Sequence, residues 1–411
     1  MVLEILQSAV KIVSFLTIVY RISVFFSYFC ICLSLVATME EMQFTAMVLM
    51  SMLTLTLVFL LPRRAEGDWS FVRSRWLMAG GTALLAIQFL LQYVFGFRKM
   101  GVTQAVMINL LFFIPTSVLM SLALVGLQWR GRLSWKEWMP GLVTYALTVL
   151  SICWAAVITG DVLSDSEEMK KAEYISSFVY LIMQLYYSYV VKKGNDRLDE
   201  ALKNYYDRYM GDLLDWLRRA VNILILIAVF APLLIFSTGW VLMAYALLIF
   251  FSIYYLVFSF ICYGVSNDSR RIQVAEQNAA ETKRDELQGD SMFVEEEKKR
   301  IERAVERWIS AGGHLHSGIT MPVAASEIGV PRYLLSAWLK TTTDQLFNPW
   351  LTRLRIDEAK RQLLAHPDWQ SETIAECCGF SSRTYFQTVF KKHTGMSPTE
   401  FIELEHRKNL P

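Results

Sequence analysis

The spacing of apolar and polar positions changes abruptly near residue 265. Ahead of that point, apolar runs near 42–61, 76–97, 102–127, 141–160, 174–191, 220–237 and 240–263 are each about as long as a bilayer-crossing helix requires. They predict a seven-span transmembrane domain over 39–264. An eighth run near 12–37 is interrupted by Arg21, and it is too long, without a small-residue cleavage site, for a secretory signal peptide. Residues 1–38 are read as an optional hydrophobic segment, with translation from Met39 as the alternative. Residues 265–294 are polar and lack a sustained heptad, which predicts a helical or partly flexible linker. A short coiled coil pairing two subunits into a homodimer is the alternative there.

Residues 295–411 carry helical spacing of a different kind. Glu295–Ile309 places Ile301, Ala304, Val305, Trp308 and Ile309 on a packing face. Two similar units follow. In the second, Ala375 lets two helices cross closely, Gly379 supplies a left-handed turn, and Phe386 and Phe390 bury one face of the next helix. In the first, Ala325, Gly329, Leu335 and Leu339 repeat the arrangement with a shorter turn, and Lys340 matches Lys391. Between them Asn348–Ala365 is amphipathic through Trp350, Leu354, Ala359 and Leu363. At about 1.5 Å per residue that helix spans about 27 Å, a strut for two heads entering major grooves about 34 Å apart. Ser397-Pro398-Thr399-Glu400 reads as a capping box that starts a final helix. The fold class is therefore all-α: a polytopic transmembrane helix bundle, then a cytoplasmic helical domain with two helix-turn-helix motifs joined by a linker helix.

Such a motif presents the first turns of its second helix to base edges. In the second head these positions hold Arg383, Thr384, Gln387 and Thr388; arginine can grip guanine O6 and N7, and glutamine can pair with adenine. Ser381 and Ser382 suit cap and phosphate contacts, and Lys391, Lys392 and Arg353 suit phosphate neutralisation. Arg355 is either a further phosphate contact or a brace between the heads. The first head offers Arg332, Tyr333 and Ser336 for DNA, with Ala337 beside them and Pro331 ahead.

The stretch from Ile374 through GFSSRTYF and VFKKHTGMSP, with the looser first copy, resembles the AraC/XylS family of bacterial transcription regulators. The resemblance covers roughly 305–404, about a quarter of the chain. It implies double-stranded DNA as partner and residues 295–411 as the DNA-binding domain. Members of that family usually place longer polar side chains at one or both of the positions held by Ser336 and Ala337. The first head is thus expected to add affinity and shape more than base discrimination.

Composition and charge refine this picture. The chain is 54% hydrophobic and 19% charged, and the apolar excess lies entirely ahead of residue 265, which makes the lipid bilayer a second partner. Loops at 62–75, 128–140 and 192–219 are rich in Arg and Lys, whereas the intervening loops hold only Arg98, Lys99, Lys170 and Lys171. Basic loops face the cytoplasm, so Met39 falls outside and everything after residue 264 inside, where a DNA reader must be. The expected location is the bacterial inner membrane. A net charge of +2 would not by itself reveal DNA binding, so the basic groups must act locally.

No Walker loop, dinucleotide fingerprint, serine-nucleophile elbow, kinase or phosphatase signature is present, and no enzyme activity or cofactor is expected. All five histidines follow residue 313, and the His314-x-His316 pair lacks companions for a metal. Cys377 and Cys378 are adjacent, a poor disulfide geometry. At membrane depth lie Gln88, Gln92, Asn109, Gln184 and Asn222, with Tyr180, Tyr186, Tyr187 and Tyr189 around Gln184 and kinks expected at Pro115 and Pro232. These groups either frame a site for an unidentified small or lipidic ligand or pack helices together beneath an interfacial tyrosine belt. The function expected is a membrane-anchored one-component transcription regulator that senses an envelope or membrane-borne signal. The alternative is a membrane transport or enzymatic module whose helical tail docks to protein or DNA.

Overall fold

The computed structural model describes residues 39–60, 69–96, 102–129, 133–160, 166–208, 210–236, 239–265, 268–288 and 295–408. The segment 1–38 with Arg21, the side chains of Arg63, Arg64, Arg98 and Lys99, and that of Pro232 lie outside the described residues. Two compact units form, one of Met1–Asn195 with Trp216–Asn267, the other of Asp196–Asp215 with Asp268–Pro411. Among the described residues the architecture is helical throughout, apart from one isolated antiparallel bridge between Tyr206 and Thr320.

The first unit holds α1 (Met39–Leu55), α2 (Trp69–Phe95), α3 (Val102–Gln128), α4 (Trp135–Thr159), most of α5 (Glu167–Tyr205), α6 (Asp215–Phe236) and α7 (Gly239–Val265). Five stretches are long and apolar enough to cross a membrane: Glu40–Leu60, Phe71–Phe95, Ala105–Gln128, Trp135–Thr159 and Ala244–Gly264. Two expected runs fall inside α5 and α6, which do not reach that measure over the described residues. Tyrosines, serines and Gln184 dilute the apolar run of α5, and the side chains of α6 beyond Phe230 lie outside the described set. Interhelical polar contacts knit the bundle. Asn109 Oδ1 accepts from Gln88 at 2.7 Å and from Gln92 at 2.5 Å, and Gln43 donates to Gln92 at 3.2 Å. Tyr180 and Ser117 share a hydrogen bond at 3.0 Å, and the Tyr187 hydroxyl donates to the Glu137 carbonyl at 2.8 Å. Tyr186 and Tyr189 face outward and Asn222 is exposed, so the tyrosines do not close around one point. These contacts favour the packing reading, because the buried Tyr180 and Tyr187 hydroxyls spend themselves on neighbouring helices.

The second unit corrects one loop assignment and keeps the helical reading of the polar stretch after residue 265. The basic segment 192–219 is not simply a loop, because α5 continues unbroken to Tyr205, about 58 Å from its start at 1.5 Å per residue. Within the polar 265–294 stretch, Asp268–Gln288 is a helix, α8. Then come α9 (Glu295–Ser310), α10 (Met321–Ile328), α11 (Arg332–Trp338), the strut α12 (Phe347–Ala365), α13 (Ser371–Cys377), α14 (Arg383–Thr394) and α15 (Pro398–Lys408). The strut feeds two separate cores. Phe347, Trp350 and Leu351 pack with Ile301, Val305, Trp308, Ala324, Leu335 and Trp338 around the first head. One turn further on, Ile356, Ala359 and Leu363 pack with Ile374, Ala375, Phe380, Phe386 and Phe390 around the second.

Arg355 lies on the strut between these cores with its side chain 1% exposed. Its Nη1 pairs with Asp207 Oδ2 at 3.1 Å, Nε donates to the His314 carbonyl at 2.9 Å, and Nη2 to the His316 carbonyl at 2.6 Å. Asp207 also accepts from the Gly318 amide at 2.7 Å. Removing one partner of a buried pair leaves the other charge uncompensated, which typically costs about 3–5 kcal/mol. Asp207→Ala should therefore lower the unfolding stability of the second unit by about that amount, read from chemical denaturation of the full chain in detergent. An unchanged denaturation midpoint would show that Asp207 does not hold this unit together.

Candidate nucleic-acid interface

The second head is a fully formed helix-turn-helix. Gly379 sits at φ +76, and the Phe380 amide returns to the Ala375 carbonyl at 2.8 Å, so the turn closes on the alanine that the helices cross over. Ser382 caps α14, its hydroxyl accepting from the Tyr385 amide at 3.2 Å. Phe386, Val389 and Phe390 face the core, and Phe390 meets Phe401 of α15 edge-on. The opposite face carries Ser381, Ser382, Arg383, Thr384 and Thr388, all exposed, with Gln387 half-buried beside them. Lys391 and Lys392 are exposed in the last turn, where positive charge also suits the helix dipole. The second-head candidates thus share one helix and its entry turn.

The final helix starts as its sequence requires. Glu400 accepts from the Ser397 amide at 2.6 Å while the Ser397 hydroxyl accepts from the Glu400 amide at 3.3 Å. The first of these hydrogen bonds holds the Glu400 carboxyl below its ordinary pKa.

In the first head Gly329 lies at φ +78 and its amide returns to Ala325 at 3.0 Å. Leu335, Trp338 and Leu339 are buried, and α11 runs into a wider π turn, Leu339–Thr343. Arg332, Tyr333 and Ser336 occupy positions equivalent to Arg383, Thr384 and Gln387, yet all three are only partly exposed. Arg332 is engaged by Glu281 of α8 at 3.2 Å. Arg353 is exposed on the strut. Arg355 is buried as a brace, which removes it from the phosphate contacts. Burial is the main influence on it and lowers its pKa, with Asp207 pushing the other way.

Sequence reasoning missed Asp207 and Glu281. They lie 148 and 51 residues from the arginines they engage, and no local spacing announces either. Among the described residues no cluster of His, Cys, Asp and Glu could hold a metal. His314 is buried against Trp308 while His316 is exposed, so the pair does not converge. Cys378 is buried in the second core with its thiol pushed up to about 12, chiefly by desolvation, which makes it a poor thiolate.

Residues 324–403 match a helix-turn-helix domain family. Over 105 residues, 26% of this chain and 34% of the relative, the sequence is 34% identical to the regulatory protein PocR of Salmonella typhimurium. It is 28% identical over 153 residues to the uncharacterized transcriptional regulatory protein YesN of Bacillus subtilis, covering 32% of this chain and 41% of that one. It is 33% identical over 82 residues to the HTH-type transcriptional activator RhaS of Yersinia pestis, covering 20% and 30% respectively. The chain spans less than half the length of each of these relatives. No solved structure matches it significantly. Fold and comparisons together define a helix-turn-helix domain of the transcription-regulator type on a chain with membrane-length apolar helices.

The two glycine turns make unequal demands. A side chain at Gly379 would collide with the Leu315 carbonyl and come within 3.1 Å of Arg355 Nε, whereas one at Gly329 meets nothing within 4 Å. Gly329→Ala should cost only the left-handed strain, about 1–2 kcal/mol. Gly379→Ala should cost about 1–3 kcal/mol more through overpacking. Equal losses for the two variants in denaturant titrations would contradict this contrast.

The pH response follows from His314, whose pKa is lowered by burial first and by Arg355 and Arg361 in addition, against Glu358 and a backbone hydrogen bond at Ile309. A depressed histidine contributes stability that is complete above its unfolded value, about 6.5, and is lost as pH falls through the folded value. His393, also lowered, acts in the same direction. Melting temperature should therefore be flat above about pH 6.5 and decline below it, with a shallower decline in His314→Gln.

Proposed function

We propose that this chain is a membrane-anchored one-component transcription regulator of the AraC/XylS kind. The observation that carries this reading is the outer face of α14, where Arg383, Thr384, Gln387 and Thr388 stand together beside the capped entry Ser381–Ser382. In this role Arg383 and Gln387 read base edges, while Lys391, Lys392, Arg353 and the entry serines hold phosphates. Arg332, Tyr333 and Ser336 contribute from the first head. The apolar helices of 39–264 form the bundle that anchors the reader, with residues 265 onward in the cytoplasm of a bacterial inner membrane. A small, lipidic or membrane-borne signal shifts the bundle and changes how the reader, or a pair of readers from two copies, occupies DNA. The similarity to PocR, YesN and RhaS supports the regulatory part of this reading.

Selection from genomic fragments by the full chain in lipid nanodiscs, at fixed salt, tests it. A short enriched site is expected. Arg383→Ala should relax one position of that site and cost about 1–3 kcal/mol of discrimination. Lys391→Ala should weaken all sequences alike and reduce the salt slope by about one. Binding without enrichment, unchanged by Arg383→Ala, would leave the helical domain a docking tail and return the function to the membrane part.

A further inference from the structure

The two heads differ in one respect that their sequences do not explain. Arg383, Thr384 and Thr388 of α14 stand in solvent, but Arg332, Tyr333 and Ala337, their counterparts on α11, are all partly covered. α11 turns Leu335 and Trp338 toward the core. α8 packs against α11 within the second unit and reaches Arg332 through Glu281. Its buried face is Ile272, Ala275 and Thr282, and Glu281, beside the last of these, pairs with Arg332 at 3.2 Å.

The same helix is gripped from its other side. Glu276 accepts from Arg197 at 2.6 Å, and the Arg271 carbonyl accepts from the Tyr206 hydroxyl at 3.2 Å. Arg197 lies in the final turns of α5, and Tyr206 precedes Asp207, which is fixed beneath Arg355 and Gly318. The α5 extension thus clasps α8 at two points.

We propose that α8 is a mask over the first reading helix, so that the first head engages DNA only when α8 leaves it. The proposal rests on the DNA-binding role given above and names how that role is regulated. Glu281 places a carboxylate on Arg332, where a phosphate or a base acceptor would bind, so DNA and α8 compete for one guanidinium. The pair is weak enough to exchange, because Glu281 is 62% exposed and water screens it. Only two residues of chain separate the end of α7 at Val265 from the start of α8 at Asp268. The second head stays open throughout. The masked protein reads DNA with one head and the released protein with two.

Footprinting and salt titration of the full chain in nanodiscs test this on the DNA site enriched by the wild type. The comparison is with Glu281→Arg and with a full chain whose residues 268–284 are replaced by a Gly/Ser stretch of equal length. The wild type should protect a single groove's width. The replacement should extend protection by about one helical turn and steepen the salt dependence by about one for each added phosphate contact. It should also bind at least tenfold tighter, with Glu281→Arg intermediate. A wild-type footprint that already spans both grooves would overturn the mask. So would a replacement whose footprint, affinity and salt slope equal those of the wild type. Absence of selective binding in all three proteins would instead overturn the DNA-binding reading itself, and the mask with it.

Discussion

The second unit depends on one guanidinium. Arg355 sits where the strut passes from one hydrophobic core to the other, and a charge there survives only if every donor finds an acceptor. The acceptors come from far away in sequence: the His314 and His316 carbonyls from the turn below the first head, and Asp207 from beyond the end of α5. The backbone at Leu315, between those carbonyls, also presses on the turn at Gly379, which is why that position has no room for a side chain. A single buried ion pair therefore fixes the first head, the strut, the second head's turn and the Asp196–Asp215 segment in one arrangement.

That arrangement has consequences for how the domain can be regulated. A reader built only from residues 295–411 would be a self-sufficient module on a tether. Here the compact unit also takes in Asp196–Asp215 and α8, so the pieces that touch the reading heads belong to segments continuous with apolar helices. On α11, Arg332 meets Glu281 of α8, while the equivalent Arg383 of α14 is exposed. In the first unit, three amide side chains converge where Asn109 accepts from Gln88 and Gln92. Gln184 is fully buried and its side-chain amide finds no hydrogen-bond partner among the described residues.

Much of the helical domain was legible because its determinants are local. The positions of Ala325, Gly329, Ala375 and Gly379, the paired apolar residues four apart, and the box at Ser397–Glu400 each act within a turn or two of helix. The strut was likewise evident from its apolar positions, although its division between two cores was not. The basic stretch near 192–205 misled for a physical reason: charged residues are as compatible with a solvated helix as with a loop. The seven apolar runs were drawn by length, and five of them are long, apolar helices among the described residues; tyrosines, serines and Gln184 dilute the run in α5, and part of the run in α6 lies outside the described residues.

The sequence by itself determined the all-α composition, the two helix-turn-helix repeats, the candidate reading face of α14 and the apolar character of the first unit. Each follows from periodicity or from a residue's own backbone preference, which the chain carries wherever it goes. Only the tertiary structure decided that Arg355 is a brace rather than a phosphate contact. It alone gave Asp207 its place beneath Arg355 and covered Arg332 with Glu281. The reason is that a charged residue has no intrinsic role: solvent, a phosphate and a distant carboxylate all satisfy it, and the folded backbone settles which is within reach.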